Sequence, residues 1–444
     1  MSAYQPYPKY KPSGVEWLGD VPGGWTVSRI KNVATINASK SEVAHLKPET
    51  EITFLPMEAV GDDGSLITTS TRQLGDVLTG YTYVRENDVL VAKITPCFEN
   101  GKGCIARGLN NGIGFATTEV VPIRPTKHST PEFLYYLLHG LPFRKVAEGS
   151  MYGAGGQKRV SDTFVAGYSF ALPPLPEQRQ IAAFLDRECG KLDTLQAKQE
   201  RLIELLKEKR QALISHAVTR GLNAAATLKP SGSEWLDDVP AHWIVTRLKF
   251  EVSKIVDCPH ETPKYNPDGE YLVIRTADVD RGRLDLSKAY RLDRAEFVNR
   301  TRRDRLCPND IVYGREGERW GHAALVPDSP EVCLGQRMMQ FRASRSIYPA
   351  FLSHLLNSNA VYEQGAVDTV GATSPHVNIS TIRNYNFPLP PLAEQRAIVA
   401  HLDEKCDKLD RLKAKAERAI ELLKERRSAL IAAAVTGKID VRKA

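Results

Sequence analysis

Residues 172–219 and 389–436 align without a gap and agree at 33 of 48 positions. The first block opens LPPLPEQRQI and the second LPPLAEQRAI. A second echo lies upstream, where KPSGVEWLGDVPGGWTVSRIK from Lys11 matches KPSGSEWLDDVPAHWIVTRLK from Lys229 at 14 of 21 positions. Two markers in the same order at nearly the same offset make the whole chain a tandem duplication. The period is too long for a solenoid, so each copy is expected to be a domain plus a helix.

Pro173-Pro174 and Pro390-Pro391 end extended segments, and a helix is predicted to follow each, with Glu177 and Glu394 in the favourable first turn. Ile181, Leu185, Leu192, Leu195, Leu202, Leu206 and Leu213 fall on steps of three and four, an a/d seam. Ile398, Leu402, Leu409, Leu412, Ala416, Ala419, Leu423 and Leu430 take the equivalent rungs. Each helix should run about 44 residues, or roughly 66 Å, and its natural partner is its own copy. The expected fold is α+β: two similar globular domains separated by two long antiparallel coiled-coil helices, an internal pseudo-two-fold. Domain limits are placed at 1–171, 172–222, 223–388 and 389–444.

Between the markers the copies diverge in sequence but keep the order of their elements. EITFLPM, NDVLVAKI, EVVPIRP and the helical FLYYLLHGL in the first correspond to YLVIRTADV, NDIVYGRE, RMMQFRA and FLSHLLN in the second. One fold with two different surfaces suits a reader of two different targets. Trp17, Trp25, Trp235 and Trp243 repeat between copies that differ elsewhere, so they are read as packing or docking residues.

Composition narrows the classes. A 42% hydrophobic, 25% charged chain is an ordinary globular one, and it has neither a long apolar run nor an apolar N-terminal segment. Seven cysteines without a CxxC pair favour reduced thiols and a cytoplasmic location. Cys258-Pro-His260 stands without a second ligand pair in the sequence, and no metal site is expected. The net charge of +7 permits nucleic-acid binding without requiring it. Residues 45–170 hold 12 basic against 13 acidic side chains, whereas 270–345 hold 14 arginines and one lysine against 12 acids. Such an excess of arginine suits bidentate recognition of guanine edges or phosphate, or plain surface pairing.

No catalytic motif emerges. The Pro-Pro pairs are Leu-Pro-Pro-Leu, not the Asn/Asp-Pro-Pro-aromatic loop of amino-methyltransferases, and Asn100-Gly101-Lys102 lacks the spacing of a phosphate loop. Five stretches are suited to nucleic-acid contact through amide, guanidinium and hydroxyl groups on glycine-flanked loops. In the first copy these are AKITPCFENGKG (Lys93, Thr95, Asn100, Lys102) and GAGGQKRVS (Gln157, Lys158, Arg159). In the second they are RTRRDR (Arg300, Arg302, Arg303, Arg305), YGREGERWGH (Arg315, Arg319, Trp320, His322) and GATSPHVN (Ser374, His376, Asn378).

Taken together, the duplicated SG-x-EWL-x-D-VP-x-x-W segment, the duplicated LPPL-x-EQR-x-I helix and phrases such as KITPCFENGKG and NDIVYGREGERWGHAALVP resemble the specificity subunits of type I restriction-modification systems over nearly the whole chain. The resemblance implies a non-catalytic reader of double-stranded DNA without a cofactor of its own. Two target-recognition domains would each read half of a split, asymmetric site, and the helices would fix the gap. It implies as partners two modification subunits that bind S-adenosylmethionine, and restriction subunits that use ATP and Mg, with no membrane. A coiled-coil scaffold with protein-binding domains, or a self-contained nuclease or methyltransferase, are the alternative classes.

Overall fold

A Pro-Pro pair neither extends a strand ladder nor fits a helix interior, and in both copies it separates the two. In the computed structural model, which describes residues 4–154, 156–328, 331–369 and 375–443, the strands Ser169–Leu172 and Asn386–Leu389 stop at these prolines. The long helices follow over Leu175–Arg220 and Leu392–Val435, 46 and 44 residues. Pro176 lies in the first turn, where a missing N–H costs no helical bond.

The repeated Glu-Gln-Arg fixes each helix start. Gln178 is fully buried, accepts from Thr130 N (3.0 Å) and donates to His128 O and Pro173 O, both at 3.0 Å. Gln395 does the same with Tyr348 N (2.6 Å), Ser346 O (3.0 Å) and Pro390 O (2.8 Å). Each amide thus satisfies a loop N–H, a loop carbonyl and the carbonyl of the first proline of the Pro-Pro pair. Glycine ends the helices, with Gly221 at φ +75° against Trp243 and Gly437 at φ +72° against Trp25. A left-handed stop needs glycine, and a Cβ here would crowd the indole.

The chain divides into two units, residues 1–199 with 418–444 and residues 200–417, so each unit owns one portion of each long helix. In the first unit an antiparallel sheet has the order Ala34–Ile36, Val120–Pro125, Val89–Ala92, Gly103–Ile105. In the second unit Val252–Asp257, Met338–Ala343, Ile311–Gly314 and Ala323–Leu325 stand in the same order with the same directions. A further sheet repeats as well: Glu51–Leu55 runs parallel to Ile113–Ala116, as Tyr271–Ile274 runs parallel to Val332–Leu334. The first unit adds Thr82–Arg85 to that sheet. The two repeated markers also pair with each other, Thr26–Arg29 with Ser169–Leu172 and Ile244–Arg247 with Asn386–Leu389.

A buried acid-base pair braces each antiparallel sheet. Asp88, 1% exposed, takes Arg124 Nε and Nη2 at 2.7 and 2.9 Å, and Asp310, 2% exposed, takes Arg342 at 2.8 and 2.7 Å. Each aspartate follows an asparagine with left-handed φ, Asn87 at 70° and Asn309 at 66°. The repeated Asn-Asp is therefore a turn followed by an anchor for the neighbouring strand.

In the first unit Ile181, Leu185, Cys189 and Leu192 pack with Leu430, Ile431 and Ala434, which requires antiparallel helices. In the second, Ile214, Ala217 and Val218 share a core with Ile398, Leu402 and Cys406. An ion pair repeats with its partners exchanged: Asp193 with Arg427 at 3.1 Å in the first unit, Asp410 with Arg210 at 3.6 Å in the second. The expected seam is corrected at three rungs, since Leu195, Leu202 and Leu412 are 46%, 41% and 49% exposed. Cys189 and Ile203 are buried one position later than Glu188, which the steps of three and four also place on the seam, and Leu202. In the first helix the buried stripe shifts locally against the strict heptad, whereas Leu412 is exposed between the buried rungs Leu409 and Ala416.

Candidate nucleic-acid interface

In both units the strand that carries the Asn-Asp turn leads into a loop, and that loop meets a second one from far along the chain. In the first unit Thr95 is the joint. Its backbone N donates to Lys158 O (2.9 Å), its hydroxyl donates to Gly156 O (2.6 Å), and Lys158 N donates to the hydroxyl (3.0 Å). A bridge between Ile94 and Arg159 continues the pairing. The second unit repeats it, with Gly317 N on Pro375 O (2.9 Å), Val377 N on Arg315 O (3.2 Å) and a bridge between Glu316 and His376.

The joined loops carry most of the residues expected to contact nucleic acid, in differing states. Asn100, Gln157 and Lys158 are exposed. Lys93 pairs with Asp162 (3.3 Å), Lys102 donates to Met57 O (3.2 Å), and Arg159 is gripped by Glu119 through Nε (3.0 Å) and Nη2 (2.7 Å). That grip raises the Arg159 pKa and fixes the side chain against the loop. Thr95 is spent on loop closure.

In the second unit Arg302 is exposed and Arg303 donates to Asp257 O (2.8 Å). Arg315 is mostly buried, paired with Asp257 at 3.4 Å and with its neighbour Glu316. Arg319 is exposed and donates to Ala277 O (2.7 Å). His322 lies 3.5 Å from Asp280, and burial, followed by the nearby Arg281 guanidinium, lowers its pKa. His376 is half-buried, and Asn378 is exposed just before the helix Ile379–Arg383. Ser374 lies outside the described residues.

Two members of these stretches are structural. Arg300 is 4% exposed and donates to Leu334 O (2.8 Å), Glu261 O (3.1 Å) and Pro259 O (3.0 Å), so it holds a loop together. Trp320 is buried and stacked on Tyr362 with centroids 4.3 Å apart. Sequence reading also missed the acids, since Glu119, Asp257 and Glu316 orient the arginines and lie far from them in sequence or look like ordinary surface charge. Among the described residues Arg315 Nε and Asp257 Oδ1 are buried and make no hydrogen bond. Such atoms at the joint of two loops are donor and acceptor capacity that the fold has not used.

The ligand atoms of Asp257, Cys258 and His260 fall within 4.8 Å of one another, although the sequence offered no partner for the Cys-Pro-His run. Asp257 takes His260 at 2.8 Å and faces Arg315, while burial pushes the Cys258 thiol up to about 11. The carboxylate is thereby compensated by a cation, and the thiol resists becoming the thiolate that binds a metal. Among the described residues no helix is long and apolar enough to cross a membrane.

The chain is similar to known proteins in sequence and in fold. The type I restriction enzyme EcoEI specificity subunit of Escherichia coli is 38% identical over 167 residues, 36% of this chain and 27% of that protein. The match with the EcoAI specificity subunit also spans 27% of that protein, so the chain covers about a quarter of these relatives' length. The putative MjaX specificity subunit of Methanocaldococcus jannaschii is 22% identical over 96% of both chains. Among solved structures, a chain from work on complex assembly and conformational transition of the type I R-M system superposes with a TM-score of 0.71. It is 19% identical over 94% of this chain and 98% of that one. The HsdS subunit from Thermoanaerobacter tengcongensis gives 0.52 at 18% identity over the same shares. These two likenesses show the fold alone. The model of the type I restriction modification DNA specificity domain matches residues 22–205 and again 243–422, well over half of the sequence, and the chain therefore belongs to that family.

Proposed function

We propose that this chain is the non-catalytic DNA-reading subunit of a cytoplasmic type I restriction-modification complex. Each unit reads one half of a bipartite, asymmetric site in double-stranded DNA. The observation that carries this reading is the joined pair of loops, built on the same strand in both units but furnished with different side chains. Asn100, Gln157, Lys158, Arg302, Arg319 and Asn378 present amide, ammonium and guanidinium groups on these loops or beside them, the chemistry that reads base edges and clamps phosphates. Lys93, Thr95, Lys102, Arg159, Arg303, Arg315, His322, Ser374 and His376 complete the surface as direct partners of DNA or as residues that shape it.

The long helices set the spacing between half-sites and dock two modification subunits, which supply S-adenosylmethionine chemistry. Restriction subunits add the reactions that need ATP and Mg. In this reading residues 1–171 and 223–388 are the recognition domains, and 172–222 and 389–444 the helical segments. Replacing residues 30–170 by the matching segment of a relative changes one half of the methylated sequence and leaves the other intact, as read by methylome sequencing. A swap that altered both halves would sink the assignment of one half-site to each unit.

A further inference from the structure

Each unit leans a short hairpin against its portion of the long helices, and at that corner the two copies carry opposite charge. In the first unit Val60 bridges Leu66, and a pocket of about 440 Å³ beside the hairpin collects Asp63, Glu132, Asp186 and Asp193 against Arg107 and Arg427. In the second unit Val279–Asp280 pairs with Arg283–Leu284. The pocket there, about 420 Å³, collects Lys207, Arg210, Arg281, Arg283 and Lys413 against Asp280 and Asp410. Asp193 and Asp410, and likewise Arg427 and Arg210, are duplicates of each other, so the two pockets are built on one plan. The turn of the hairpin contributes to the difference, with Asp62-Asp63-Gly64 in one copy and Asp280-Arg281-Gly282 in the other, and Arg283 adds a further cation in the second.

Lys207 and Lys413 pair outside the pocket with Glu204 (2.8 Å) and Glu417 (3.6 Å), which leaves Arg210, Arg281 and Arg283 against Asp280 and Asp410. Asp410 serves both Arg283 (2.5 Å) and Arg210 (3.6 Å). Arg281 meets neutral acceptors, Gln211 Oε1 at 2.7 Å and His322 Nε2 at 3.5 Å. Among the described residues no carboxylate lies within ion-pair distance of it. Its backbone is held at φ +37°, a strained position for a side chain of this size, in a turn that aims the guanidinium at the pocket. Two arginines sharing Asp410 beside a third without a carboxylate partner make a ready anion site.

We infer that this pocket takes a backbone phosphate of duplex DNA, giving the second unit a sequence-independent clamp that the first unit lacks. The inference rests on the DNA-reading function proposed above. Continuity favours DNA over an acidic protein surface: the pocket is joined to the candidate reading loop through His322, and Arg319 of that loop donates to Ala277 O beside the hairpin. Its lining also has only Leu206 and Leu409 as apolar members, too few for the apolar centre of a protein interface.

The test is the salt dependence of DNA binding by the complex assembled with its modification subunits. Glycine adopts positive φ without strain, so Arg281→Gly removes the charge and keeps the turn. The slope of log K against log salt should fall by about 0.9 for each phosphate that is no longer neutralised. Duplexes with and without the methylated sequence should be affected alike, and the sequence methylated should not change. Arg281→Lys should restore most of the slope. An unchanged slope in Arg281→Gly overturns the inference, as does a change confined to the salt dependence of subunit assembly, which would give the pocket to a protein. A wild-type complex with no salt-dependent DNA binding would instead refute the proposed function itself.

Discussion

Set side by side, the two units agree where the chain is buried and differ where it is open. The Asn-Asp turn, the aspartate-arginine brace and the buried glutamine at the helix start recur with nearly the same distances. The joined loops recur as backbone, yet Arg159 is held by Glu119 in one unit while Arg315 is held by Asp257 and Glu316 in the other. A buried polar group costs free energy whenever a partner is removed, so the braces cannot drift independently, whereas loop side chains can change with little penalty to the fold. Duplication therefore left one frame and two surfaces.

The braces offer the largest test of that equivalence. Asp88→Ala leaves Arg124 with Glu42 (2.6 Å) and Asp310→Ala leaves Arg342 with Asp304 (2.9 Å), so each should destabilise its unit by about 3–4 kcal/mol, the lower part of the range for breaking a buried pair. Denaturant melts of the two variants should show similar losses. A large loss in one and none in the other would mean that the sheets are braced differently despite the matching geometry.

A second test uses a place where the frame is not the same. His139 in the first unit corresponds to Asn357 in the second, and Gly103 to Ala323. Asn357 donates to Ala323 O (2.9 Å) and accepts from Ala323 N (3.1 Å). His139 Nε2 is buried and makes no hydrogen bond among the described residues, and burial pushes the imidazole pKa down to about 4 from the usual 6.5. Between these values the unfolded chain binds the proton and the folded unit does not. Stability is therefore full above about pH 6.5 and lost as pH falls toward 4, by up to about 3 kcal/mol. His139→Asn should flatten that part of the pH profile for the first unit, as followed by thermal melts. A profile unmoved by the substitution would show that other groups set the acid sensitivity.

The smallest effect is expected from crowding at the same spot. A Cβ on Gly103 would collide with His139 Nε2 and Leu90 O, so Gly103→Ala should cost about 1–3 kcal/mol. The double variant with His139→Asn copies the second unit and should recover part of the loss. A double-mutant cycle with no coupling would mean that the alanine-asparagine and glycine-histidine pairs are unrelated choices.

Much of this frame is legible in the residues. Repeated Pro-Pro, Glu-Gln-Arg and Asn-Asp are local signals, and the duplication shows which of them matter by printing them twice. The helix seam is harder to place, because Leu195, Leu202 and Leu412 occupy heptad rungs and yet are exposed. The loops are the least legible. The run RTRRDR does not show that Arg300 is folded inward under three carbonyls, and nothing near Arg315 in sequence points to Asp257. Which arginine is free and which is held depends on how distant segments meet, and composition carries no record of that.

The exchanged ion pair, Asp193 with Arg427 and Asp410 with Arg210, has one more implication. Each repeat contributes one aspartate and one arginine, and each takes its partner from the other repeat. That reciprocity is how identical surfaces recognise each other, residue i of one meeting residue j of the other and the reverse. The duplication thus carries within one chain the reciprocal contacts that two separate copies would otherwise have to supply. Fusion freed each half to change its loops without its twin having to follow, an asymmetry that no true homodimer encoded by a single gene can reach.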